Sequence, residues 1–220
     1  MIPLRDNIKI RSFPFVTILL ILSNCYIFHL ELTATNQQLT DLMTHYSLIP
    51  ADFIKTLTHQ SLQPGDYLSL LSNLFLHGSW LHIIGNLWFL LLFGRSSEGC
   101  LGHFKYFIFY LVCGMSANLV QIAFNPGSTI PIIGASGAIS GILGSYSFCF
   151  PHARISTLVP IFFFFTIIEI PSLVFIGLWF LLQVYQGTLS FSMAGSNIAW
   201  WAHIGGFITG IGLNIVFNRR

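Results

Sequence analysis

Apolar residues in this chain fall into long, nearly unbroken stretches, not into the alternating pattern of half-buried strands. A helix needs about 20 apolar residues to cross hydrocarbon. Six segments approach that length: residues 13–32, 71–94, 104–124, 134–150, 171–186 and 200–217. The first has no small-x-small cleavage pattern at its end, so it reads as a helix that stays in the chain. Residues 33–70 mix Asp41, Asp52, Lys55 and Asp66 with Tyr46, Leu48, Ile49, Pro50 and Phe53, which predicts a loop packed against the membrane interface. Asn125-Pro126-Gly127 marks a turn. Pro160 and Pro171 interrupt the apolar run 158–185, and its part 160–168 reads as an interfacial or re-entrant piece. Residues 187–199 read as a polar loop.

Composition strengthens this picture. Of the 220 residues 54% are hydrophobic and only 7% charged, against about 25% charged in a soluble domain. A soluble domain of this size could not bury so much apolar surface. The same composition excludes disorder. Nine Lys and Arg against seven Asp and Glu make no basic patch, so no nucleic-acid partner is expected. The expectation is an all-α, polytopic membrane protein of six spanning helices whose first loop is associated with the membrane. Residues 1–12 would be one tail, 13–217 the membrane domain and 218–220 the other tail. The four cysteines read as buried or cytosolic free thiols, and no zinc-ligand spacing is present.

Charge sets the orientation. With the N-terminus in the cytosol, Arg5, Lys9, Arg11, Arg95, Lys105, Arg154, Arg219 and Arg220 share that side and Lys55 alone faces outward. Both termini are then cytosolic, and the loops 33–70, 124–133 and 187–199 face outward.

Polar groups inside hydrocarbon are costly unless paired or hydrated, and so are functional candidates. Three clusters fall at one depth in the outer half of the membrane. The first is His77, His82 and Asn86. His82 and Asn86 are four apart and share a helix face, while His77 points elsewhere and reads as a structural hydrogen bond. The second is Gly134-Ala-Ser136-Gly137, followed by Ser140 and Gly141. Its Ser136 sits in a first turn whose N–H groups lack helical partners and favour an anion. The third is Ala202-His203-Ile-Gly205-Gly206, followed by Gly210. The pairs Gly137/Gly141 and Gly206/Gly210 are small-xxx-small seams that let helices approach closely. Each cluster alone reads more plainly as helix packing. Together they offer a nucleophile, a base and two further donors. A serine nucleophile needs a base, and imidazole is suited to that task near neutral pH. Asp6, Glu98 and Glu169 lie on the cytosolic side and nothing sets Glu31 beside His203, so a Ser-His dyad is expected, without a carboxylate.

His77-x-x-x-x-His82-x-x-x-Asn86, Gly134-Ala-Ser136-Gly137 and Ala202-His203-Ile-Gly205-Gly206 with Gly210, in this order, resemble the motifs of the rhomboid family of intramembrane serine proteases. Weaker similarity runs through Tyr46 to Pro50, Glu98 to Gly102 and Pro171 to Gln183, including Trp179. The resemblance implies Ser136 as nucleophile and His203 as general base. His82, Asn86 and the Ser136 backbone amide would stabilise the oxyanion, and His77, Gly134, Gly137, Gly141, Gly206 and Gly210 would support the site. It implies hydrolysis of peptide bonds in or near the transmembrane helices of membrane-protein substrates, with no cofactor and no metal. The fifth helix and the loop 187–199 would act as gate and cap. Two departures stand out: no Trp-Arg pair occurs in the first loop, and Ser140 occupies the position where some members stack a Tyr on the base.

The alternative from the same resemblance is a catalytically inactive relative that binds transmembrane helices. A transporter would show internal repeats or a polar path, and a zinc protease a His-Glu-x-x-His motif; neither occurs. Short tails without an organellar targeting pattern point to a prokaryotic plasma membrane. Oligomeric state has no signature in the chain.

Overall fold

The computed structural model describes residues 1–10, 12–60, 63–161, 164–190 and 198–217. Ten helices and a small sheet are described. Helix α1 spans Phe15–Thr33. Three short helices follow: α2 (Asn36–Tyr46), α3 (Pro50–Thr58) and α4 (Pro64–Ser72). Helix α5 (Trp80–Phe89) continues through a widened π turn, Leu90–Gly94, into α6 (Arg95–Leu101). Then come α7 (His103–Phe124), α8 (Ser136–Cys149), α9 (Ser172–Ser190) and α10 (Trp200–Phe217).

Among the described residues α1, α7, α9 and α10 are each long and apolar enough to cross a membrane. The segments Pro64–Phe75 and Trp80–Leu101 pass the same test jointly but are bent by 83° at the break between them. Helix α8 differs. Its 14 residues measure about 21 Å, less than a hydrocarbon core of about 30 Å. Gly137 through Tyr146 are all buried, so α8 is the protein-surrounded centre of the bundle.

Glycines set how closely α8 is embraced. A Cβ on Gly206 would strike the carbonyl oxygen of Gly137, and one on Gly210 the carbonyl oxygen of Gly141. On the other side, a Cβ on Gly137 would lie 2.6 Å from Cβ of Ala117 in α7. The two seams thus place α8 and α10 in backbone contact, with α7 behind them. At the opposite end of the bundle Glu98, 1% exposed, accepts the N–H groups of Val16 (2.9 Å) and Thr17 (2.8 Å), satisfying the first turn of α1. Gly102, at φ 80°, makes the reversal from α6 into α7, a conformation that favours glycine.

Three expectations are corrected here. The fold is mostly helical but not all-α: β1 (Ile2–Asp6), β2 (Arg154–Ile161) and β3 (Phe164–Pro171) form an antiparallel sheet in the order β1-β2-β3. The piece 160–168, read as interfacial or re-entrant, instead falls at the end of β2 and the start of β3, with 162 and 163 outside the described residues. Its β-branched and aromatic residues suit strands, and Ile2 reaches Leu158 to supply the third strand. Residues 2–6, expected as part of a tail, are therefore paired, and Asp6 binds Arg95 (3.0 Å), Ser96 (2.8 Å) and Tyr146 (3.0 Å). Second, Cys100 and Cys149 form a disulfide, because the ends of α6 and α8 meet; Cys25 and Cys113 are free. Third, most of 33–70 is helical. Thr35 and Gln38 make a capping box, and Pro50 and Pro64 stand at the starts of α3 and α4, where a missing N–H is harmless. The expected polar loop 187–199 begins as the last turn of α9; its residues 191–197 lie outside the described residues, as do 218–220.

The close crossing makes a testable contrast. Gly206→Ala should destabilise the protein by about 1–3 kcal/mol, because helix backbones must move apart. Gly212→Ala, where an added Cβ meets nothing within 4 Å, should not destabilise it. Denaturant titration in mixed micelles, followed by tryptophan fluorescence, measures both. Equal effects would refute the close approach of α8 and α10.

Candidate active site

Ser136 is the first residue of α8, and the chain reaches it through a bent segment that other elements hold in place. Leu48 and Ile132 exchange backbone hydrogen bonds (3.3 and 2.8 Å), and the Gly134 N–H donates to the Asn73 carbonyl (2.8 Å). Gly134 has φ +108°, a region that L side chains rarely adopt. A Cβ there would also lie 2.5 Å from Nε2 of His82 and 3.4 Å from Nδ2 of Asn86. The side chains of His82 and Asn86 therefore lie directly against the backbone two residues before Ser136.

His203 enters from α10. Its Nε2 is 2.9 Å from Ser136 Oγ, and its Nδ1 is 2.8 Å from Oε1 of Gln183 on α9. A carbonyl oxygen can only accept, so Nδ1 carries the proton and Nε2 faces the serine with its lone pair. Two tryptophans lie against the ring, Trp179 at a centroid distance of 6.3 Å and Trp200, edge to face, at 5.9 Å. Ser140, at the position of the stacking Tyr in some relatives, instead donates its hydroxyl to the Ser136 carbonyl at 2.7 Å.

The second histidine group is also fully specified. The Asn86 amide donates to His77 Nε2 at 3.0 Å, so His77 Nδ1–H donates to the Phe75 carbonyl at 3.2 Å. The His77 backbone N–H in turn donates to the Glu31 carboxylate at 3.0 Å. His77 thus fixes one amide proton of Asn86 and Glu31 fixes His77. His82 packs edge to face against the ring of His77, with centroids 5.0 Å apart, so His77 meets the His82–Asn86 pair and does not point elsewhere as expected, because the bend before α5 turns it toward them.

Sequence reasoning missed three groups here: Gln183, and the pair Asn73 and Asn118. The two asparagines bond each other reciprocally at 3.1 and 2.9 Å; Asn73 also donates to the Ile132 carbonyl (3.3 Å) and Asn118 to that of Leu70 (2.9 Å). Both are buried polar residues in apolar segments, the signal that could have drawn notice. Among the described residues no three His, Cys, Asp or Glu side chains converge as metal ligands. The arrangement sets an imidazole lone pair against a hydroxyl at the half-buried N-terminus of a helix, where N–H groups without helical partners favour an anion.

These features define an integral membrane protein with a hydrogen-bonded serine and histidine inside its helical bundle. A family model for the rhomboid domain matches residues 64–220, and the chain belongs to the rhomboid family. It is 28% identical over 151 residues to Rhomboid protein 1, mitochondrial, of Saccharomyces cerevisiae, covering 64% of this chain and 39% of the relative. It is 40% identical over 68 residues to Rhomboid-like protein 11, chloroplastic, of Arabidopsis thaliana, covering 31% of this chain and 24% of the relative. The chain thus spans well under half the length of these relatives. Their names give organellar locations and lend the expectation of a prokaryotic plasma membrane no support.

Removing either member of the asparagine pair strands buried polar groups. Asn73→Ala and Asn118→Ala should each lower stability by about 1–3 kcal/mol. The double variant should lose less than their sum, since the second change removes a group already unpaired. A double-mutant cycle of unfolding in detergent measures this; strict additivity would contradict the pairing.

Proposed function

We propose that the chain is an intramembrane serine endopeptidase that hydrolyses peptide bonds in or near transmembrane helices of membrane-protein substrates. The single observation carrying this is the 2.9 Å separation of Ser136 Oγ and His203 Nε2, a distance at which proton transfer is direct. Ser136 is the nucleophile and His203 the general base. As Oγ attacks the scissile carbonyl carbon, its proton passes to Nε2. The developing oxyanion is met by the Ser136 amide and by donors of His82 and Asn86. The imidazolium then protonates the leaving amine. Water, activated by the same imidazole, hydrolyses the acyl-serine. No cofactor or metal takes part.

The topology belongs to the same reading. Six segments cross the bilayer, with both termini cytosolic and the 33–70 region seated at the outer interface. If the lower end of α8 lies at the cytosolic boundary, its roughly 21 Å length leaves Ser136 about 9 Å below the outer edge of a 30 Å core. Water must reach it from that face through a polar cavity, the setting in which irregular backbone at membrane depth is tolerated.

Two experiments test this. Reconstituted protein should cleave a model transmembrane substrate, and Ser136→Ala and His203→Ala should each lower the rate at least a thousandfold, with the double variant no worse than either alone. A serine-directed phosphonate should label Ser136. Cleavage by Ser136→Ala at the wild-type rate would overturn the mechanism; no cleavage and no labelling of the wild type would overturn the protease reading in favour of an inactive relative. For the oxyanion donors, Asn86→Ala should reduce kcat by about a hundredfold or more while leaving Ser136 in place. An unchanged kcat would remove Asn86 from that role.

A further inference from the structure

The proposed dyad leaves a buried polar group without a task. Gln183 is 4% exposed, on an α9 otherwise largely apolar, and its amide is engaged at both ends. Oε1 is 2.8 Å from His203 Nδ1, and Nε2 donates to the Trp179 carbonyl, four residues back on the same helix, at 3.0 Å. We infer that Gln183 is the positioning residue for the base, a neutral third member that selects the tautomer of His203.

The argument rests on donor and acceptor chemistry. A neutral imidazole has one N–H and one lone pair. Only the Nδ1–H tautomer offers its lone pair to the Ser136 hydroxyl. Turning the Gln183 amide over would set its oxygen against the Trp179 carbonyl, so the bond that anchors the amide to its own helix would be lost whichever ring nitrogen carried the proton. The amide is therefore locked in the one orientation that requires a proton on Nδ1. A carboxylate would impose the same tautomer but would bring a charge into a site lined by Trp179 and Trp200, where desolvation is costly. Glutamine orients the ring without that cost, and gives up the stronger stabilisation of imidazolium that a carboxylate supplies. This inference rests on the protease reading only for its kinetic consequence; the tautomer is a property of the resting protein.

The test uses the full chain in detergent with 15N-labelled histidine, the His203 signal being assigned by its loss in His203→Phe. Wild-type His203 should show the Nδ1–H tautomer at neutral pH. Gln183→Met, close in shape but without an acceptor, should lose that signature while unfolding at the wild-type denaturant concentration. It should also lower kcat about tenfold or more with KM unchanged. Gln183→Glu should restore the Nδ1–H signal. A wild-type ring protonated on Nε2, or a Gln183→Met protein that keeps both the signal and kcat, overturns the assignment. A wild type that shows the Nδ1–H signal, lost in Gln183→Met, yet cleaves nothing supports the positioning role and sinks the protease reading instead.

Discussion

The backbone contact between α8 and α10 is the constraint on which the rest of the molecule depends. Lipid is as apolar as leucine, so helices in a bilayer gain little from burying leucine against one another. They gain from close approach, and here Gly206 sits against the Gly137 carbonyl and Gly210 against that of Gly141. This register fixes more than stability. Ser136 is the neighbour of Gly137, and His203 precedes Gly206 by three residues, just under one turn. A serine side chain is short. It meets an imidazole on another helix only if the two backbones lie closer than ordinary side chains allow. The glycine seam and the Ser136–His203 hydrogen bond are thus one geometric fact seen at two heights along the same crossing.

That crossing would be of little use if the chain entering α8 were loose. The bent segment before Ser136 is largely buried in the protein, where an unpaired backbone group is costly. Its hydrogen bonds go to Leu48 in the first loop and to Asn73 before the bend into α5, and Asn73 is held by Asn118 of α7. Three parts of the fold thus converge on the segment that presents the serine. The 33–70 region is one of them, so its three short helices serve as a brace as well as a cover. The bend of 83° after Phe75 has a similar purpose: it brings His77 beneath Asn86, where an i, i+9 pair on a straight helix would be about 13 Å apart.

The three motifs were legible because each is local. A histidine and an asparagine four apart on a helix, a serine at a helix start, and a histidine in phase with two glycines can be read from spacing alone. What escaped was non-local or lay in unremarkable letters. Gln183 sits in an apolar helix and has its role only because α9 packs its 183 face on α10. Strand β1 finds its partner about 150 residues away, and no alternation announced it. Cys100 and Cys149 are joined because two helices end together. The first loop is a different case: Thr35 with Gln38, Pro50 and Pro64 are ordinary helix-start signals, and their local meaning was overridden by the charged composition of the segment.

The proposed base, His203, shows how an apolar bundle interior changes the usual solution for such a site. A ring packed against Trp179 and Trp200 can still turn over, exchanging Nδ1 and Nε2. Something must break that symmetry, and in water-facing sites a carboxylate does so. Within this bundle the Glu31 carboxylate accepts the His77 backbone N–H in the break before α5, and the Glu98 carboxylate those of Val16 and Thr17 in the first turn of α1. None faces the imidazole. An amide whose other end is tied to its own helix breaks the symmetry with no net charge. It also divides the proposed site among three helices: Ser136 belongs to α8, His203 to α10 and the group that orients His203 to α9. Displacing α9 by the length of one hydrogen bond would leave the serine and the histidine within reach of each other, yet free to meet in the wrong protonation state.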